Sequence, residues 1–142
     1  MSPNLQMVEF MVKISSGLLS GSDLHMLLIE YPSMMACTTK IDHFQKMSMK
    51  AGAFQLLAKT MTILGSGAMF YYRRERKYLY VASLTVSMIL YSPLILGPIN
   101  TALHESKNAK ESDKNTSLLI KWRNYCILPT LVDTLAFAAL LF

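Results

Sequence analysis

Asp23, His25 and Glu30 crowd the end of the first long apolar run of this chain, and His43 follows in the next stretch. Asn100 and His104 close the third run, and Lys121, Trp122 and Asn124 open the fourth, with Asp133 deeper inside it. Carboxylates and imidazoles placed together can take up and release protons. Amide and indole N–H groups can stabilise a developing oxyanion. The residues are therefore of the types that acid–base chemistry needs, with Asp23, His25, Asn100, Trp122 and Asp133 as catalytic candidates. Glu30, His104, Lys121 and Asn124 are candidates for holding a substrate. Each has a plainer role as well. Trp122 suits an interfacial anchor, and its position alone favours that. Asp133 suits a structural ion pair, His104 suits headgroup contact, and His43 suits a solvated loop. An imidazole inside a membrane span is a functional candidate by default, which singles out His25.

Other chemistries find no support in the spacing. No His-Glu-x-x-His and no close Cys/His cluster occurs, so no metal is expected. No Gly-rich phosphate loop occurs, and no cofactor is expected. Cys37 and Cys126 form no Cys-x-x-Cys pair, which argues against a four-helix redox protein of the quinone-epoxide-reductase type. The N-terminus lacks the basic region of a cleaved signal peptide.

The elements that carry these residues are membrane helices by composition. Hydrophobic residues make up 52% of the 142 and charged residues only 16%, against about 25% charged in soluble domains. Such hydrophobicity excludes disorder. The formal charge is +5, but the basic residues sit at the ends of apolar runs, so no nucleic-acid partner is expected. Four runs, at about residues 5–29, 51–72, 78–99 and 118–142, are each near the length that crosses roughly 30 Å of hydrocarbon. The expected fold is all-α, a single four-helix transmembrane bundle. It is expected to be multi-pass and integral to a membrane, with the endoplasmic reticulum as one candidate.

Let side A hold Arg73 to Lys77, and side B the other two connections. A rise of about 1.5 Å per residue puts Asp23 level with Lys59, and Lys13 level with Asp133. Two buried ion pairs are thus expected at matched depths. Small residues at four-residue spacing, Ser16/Ser20 and Gly17/Gly21, suit close helix packing, as does Gly65-Ser-Gly67. Trp122, Cys126, Pro129 and Asp133 share one face of the fourth helix, and Pro129 should kink it. A plain count of basic residues, with Lys40, Lys46, Lys50, Lys107, Lys110, Lys114, Lys121 and Arg123 on side B, puts side B in the cytosol. The dense Arg73-Arg-Glu-Arg-Lys77 turn pulls the other way. Modification of the sequon Asn115-Thr-Ser117 would instead place side B in the lumen.

A Ser/Gly-rich first span (Ser15-Ser-Gly-Leu-Leu-Ser-Gly-Ser22), then Tyr31-Pro32, Pro98-Ile-Asn100-Thr-Ala-Leu103 and Lys121-Trp122, resembles the anthrone-oxygenase-like family of small membrane proteins. The resemblance runs along nearly the whole chain on short motifs. It implies a four-helix membrane fold, a hydrophobic polyketide substrate and cofactor-free oxidation by O₂, with Asn100 and Trp122 as the positions carried over. The oxygenase members place a His four residues after the tryptophan and an Arg seven after it. This chain has Cys126 and Pro129 there, a departure that touches the chemistry more than the fold.

Three readings follow. In the first, His25 or Asp23 deprotonates an activated carbon acid that then reacts with O₂, while Asn100 and Trp122 hold the enolate oxygen. In the second, Asp23, Glu30 or Asp133 activates a nucleophile that opens an epoxide or closes a ring, and His25, His104 or Lys121 protonates the leaving oxygen. In the third, the bundle is a scaffold, assembly factor or transporter subunit without chemistry. The expected partners are a hydrophobic small molecule and the lipid bilayer, and a homo-oligomer fits as well.

Overall fold

The computed structural model describes residues 3–106 and 112–142, nearly all of them in four long helices. Lys107 and Lys110, counted above on side B, lie outside the described residues. Helix α1 runs from Pro3–His25 through one widened π turn, Met26–Glu30, into Tyr31–Ala36. Helix α2 is Lys40–Arg73. Helix α3 is Arg76–Glu105, interrupted by a second π turn at Ser92–Leu96. Helix α4 is Ser112–Leu141. Among these, Arg76–Glu105 and Asp113–Leu141 are long and apolar enough to cross a membrane.

The helices outrun the apolar segments. Residues 31–50, expected as a polar connection, are helical except at 37–39, and α3 continues past Asn100 to Glu105. Hydropathy reports which solvent a residue faces, not whether its backbone is helical. Lys, Gln, Met and Ala between residues 45 and 53 are good helix formers, so α2 continues for 34 residues, about 50 Å.

The turn joining α2 to α3 is tight. Arg74 adopts a left-handed backbone, φ 58°, and its N–H caps the helix on the Phe70 carbonyl. Glycine is the usual residue there. At the other end of α3, the Gln45 Nε2 donates to the exposed carbonyl of His104 at 3.0 Å, and Ser48 Oγ lies 3.1 Å from His104 Nε2. The two helices are thus tied at both ends.

Two apolar clusters hold the bundle. Val12, Met69, Tyr78, Val81, Ala136 and Leu140 pack near side A. Tyr31, Met34, Phe44, Leu103, Leu119 and Trp122 pack near side B, joined by Ile41, Leu96 and Ile99. Between them the interior is polar. Thr62 donates to Ser15, 3.0 Å away, because the Ser15 hydroxyl already donates to the Val12 carbonyl. Ser20 and Thr134 pair at 3.0 Å across α1 and α4. Of the expected close-packing glycines, Gly65 faces Val12 so closely that a Cβ would collide with it, and Gly17 lies under the Phe137 ring. Gly21 and Gly67 face open space. Asn115 of the sequon is buried, which leaves no room for a glycan on the folded chain.

Pro129 cannot donate to the carbonyl of Tyr125, four residues back. The Tyr91 hydroxyl of α3 fills that vacancy, donating to the Tyr125 oxygen at 3.1 Å. The expected weak point of α4 is therefore also a cross-helix tie.

Candidate functional site

Four helices bound one cavity of about 430 Å³ between the polar midsection and the side B cluster. The π turns shape it. In a π turn the N–H reaches five residues back, as Tyr31 does to Met26 and Gly97 to Ser92. The extra residue widens the helix and re-aims its side chains, which is why such turns recur at functional sites. Pro93 lies within the second turn and has no N–H to donate to a helical bond. Met26 and Leu27 of the first turn and Ser92, Pro93 and Leu96 of the second all line the cavity.

Asp23, Asn100 and Trp122, three of the candidates, come together in this lining. Asp23 is 6% exposed. Its Oδ1 accepts from Gln55 Nε2 at 2.5 Å, while Oδ2 has no hydrogen-bond partner. The Asn100 Oδ1 is also unpaired. Trp122 is 4% exposed and meets Phe44 edge-on at 5.3 Å between ring centres. It is a wall of the cavity and not the exposed interfacial anchor its position favoured. The helical phasing of α4 holds: Trp122, Cys126 and Pro129 all face the cavity, with Asp133 buried just beyond.

The expected ion pairs are rearranged. Lys59, not Lys13, lies 3.9 Å from Asp133. Lys13 instead pairs with Glu9, one turn earlier on its own helix, at 2.9 Å. Rise along a helix gives depth but not azimuth, so the sequence could match levels and still choose the wrong faces. Lys59 and Asp23 do line the same cavity, and Asp23 and Asp133 interact with each other as well as with Lys59. The buried group is two carboxyls around one ammonium, one negative charge in excess when all three are ionised.

The other candidates are elsewhere. His25 and Glu30 line a neighbouring open cleft with His43, Lys46 and Lys50. There Glu30 lies 3.2 Å from His43 and 3.9 Å from His25. His43 is thus bound to a carboxylate rather than merely solvated. His104 is committed to Ser48 and to a tilted contact with Phe44. Lys121 and Asn124 are exposed and take no part in the cavity lining. They fall on the faces of α4 away from Trp122, a consequence of the 100° step between helical neighbours. Among the described residues, no group of three or more His, Cys, Asp or Glu is arranged to hold a metal ion.

Gln55 and Lys59 are the site residues that the reading of motifs passed over as chemistry. Their signal was in the sequence: two strongly polar residues four apart inside an apolar run. Compared with protein families, curated proteins and solved structures, the chain matches none.

Proposed function

We propose that the four helices form a transmembrane bundle and that the chain is a membrane enzyme of polyketide metabolism, oxidising a hydrophobic anthrone or related phenol with O₂. The burial pattern supports the membrane setting. Leu28, Leu64 and Leu94 are about 70% exposed, whereas Asp133 is 1% and Lys59 6% exposed. Water would penalise both halves of that arrangement, while lipid favours the first and tolerates the second only in the bundle interior.

The observation that carries the chemistry is the buried carboxyl of Asp23, with no hydrogen-bond partner on Oδ2, in the lining of one apolar-walled cavity with Asn100 and Trp122. Asp23 is the base that removes a proton from the activated methylene carbon. Asn100 and Trp122 hold the enolate oxygen as charge develops on it. O₂ then adds at carbon, the remaining C–H bond breaks, a C=O bond forms from one oxygen atom and the other leaves as water. His25, the alternative base, lines the neighbouring cleft instead.

One observation favours a second reaction. Lys59 faces the same cavity as Asp23, which suits acid–base opening of an epoxide. Asp23 would activate the nucleophile and Lys59 would protonate the oxygen released. Purified protein supplied with an anthrone under O₂, and separately with an epoxy-polyketide, tests both. Anthraquinone formation supports the oxygenase, and ring opening alone supports the hydrolase or cyclase. Turnover of neither by folded protein overturns the enzyme reading in favour of a scaffold.

A further inference from the structure

The residues lining the cavity are not equally covered. Gly52 and Leu56 of α2 and Pro93 of α3 are its exposed members. They mark a mouth between these two helices. The gap is bounded on side A by the Arg74–Glu75 turn and on side B by the contacts of Gln45 and Ser48 with His104. Its rim is apolar: Leu56 and Leu57 on one edge, Leu90 and Leu94 on the other, are 58 to 71% exposed. Leu56 and Pro93 fall inside the second and third apolar runs and Gly52 at the edge of the second, two residues from Lys50, so the mouth runs from that edge into the apolar part of the bundle. A Cβ on Gly52 would meet nothing within 4 Å. The absent side chain therefore serves no packing contact, and its absence keeps the gap wide.

We propose that the cavity is a lateral portal site: an uncharged, membrane-dissolved aromatic or acyl compound enters from the bilayer between α2 and α3, with Gly52 setting the width of the opening. The proposal rests on the membrane setting argued above, but not on which reaction follows entry. A compound that partitions into lipid is concentrated where the mouth lies and need not cross water to reach Asp23.

Trp122 is the sole tryptophan and lines the cavity, so its emission reports on what comes in. The full chain, reconstituted into phosphatidylcholine vesicles, is compared with and without bromines on the acyl chains. Brominated chains that reach the indole quench it on contact. Strong quenching in the wild type, lost for the most part in Gly52→Phe and retained in Gly67→Phe, is the expected result. Gly67 is the control because it too faces open space but lies outside the cavity lining. Leu56→Phe provides a second narrowing of the mouth should Gly52→Phe fold poorly. Equal quenching in wild type and both narrowed variants, or quenching by aqueous acrylamide but not by brominated chains, overturns the portal. The outcomes separate from the enzyme reading: loss of quenching without turnover of an anthrone or epoxide keeps the portal and removes the enzyme, while turnover with unaltered quenching does the reverse.

Discussion

Asp23 combines burial, a single hydrogen bond from Gln55 to Oδ1 and a second carboxyl oxygen without a hydrogen-bond partner, beside Asp133 and Lys59. Asp23→Asn keeps the shape and the Gln55 contact but removes the base of the proposed reaction. If the chain oxidises anthrones as proposed, turnover should fall by about 10²- to 10⁴-fold, the span general-base catalysis covers, with the helical circular dichroism unchanged. Lys59 makes a different prediction. Lys59→Met strands the carboxylate of Asp133 and should cost about 3–5 kcal/mol in resistance to denaturation. Adding Asp133→Leu should recover most of that, because the pair is then replaced by apolar volume. No recovery in the double variant would mean that Lys59 stabilises through Asp23 instead. That Asp23, Asn100 and Trp122 belong together was legible in their clustering toward side B. That His25 faces elsewhere follows from spacing alone, since two residues along a helix turn a side chain through about 200°.

The elements owe their usefulness to their irregularities. Pro129 leaves the Tyr125 carbonyl without its helical donor, and the Tyr91 hydroxyl supplies one from α3. Tyr91→Phe should therefore destabilise the fold by about 1 kcal/mol, the net worth of such a bond. In a Pro129→Ala background the same change should cost little, because the helix then satisfies its own carbonyl; thermal unfolding of the four combinations measures the coupling. Gly65 is a point of close approach between α1 and α2. Gly65→Ala drives a methyl into Val12, whose branched side chain has little freedom to turn away, and should cost about 1–3 kcal/mol as overpacking does. The proline and glycine punctuation was visible in the sequence. The widening of α1 at Met26–Glu30 had no proline within it to announce it.

At the scale of the whole molecule, apolar surface outside and polar contacts inside form one design. If lipid surrounds the bundle, the chain should stay in the membrane pellet through alkaline carbonate washing and dissolve only with detergent. Recovery as a monodisperse species in buffer alone would remove the setting on which the cavity depends. The helices exceed the roughly 30 Å of hydrocarbon, and the surplus lies at side B, where Lys40, Lys46, Lys50 and Lys121 fall. There the cleft of His25, Glu30 and His43 adjoins the cavity, the two sharing Met26 and Ala51.

Composition and the lengths of four apolar runs determined the number of helices, their order and the end at which polar residues gather, because hydrophobicity is summed along the chain and needs no partner. Which carboxylate meets Lys59, whether Trp122 faces lipid or cavity, and where the wall opens are matters of rotation about each helix axis. Only the packing of Val12 against Gly65, Phe137 over Gly17 and Tyr91 onto the Tyr125 carbonyl settles those rotations, because each is a contact between residues far apart in sequence.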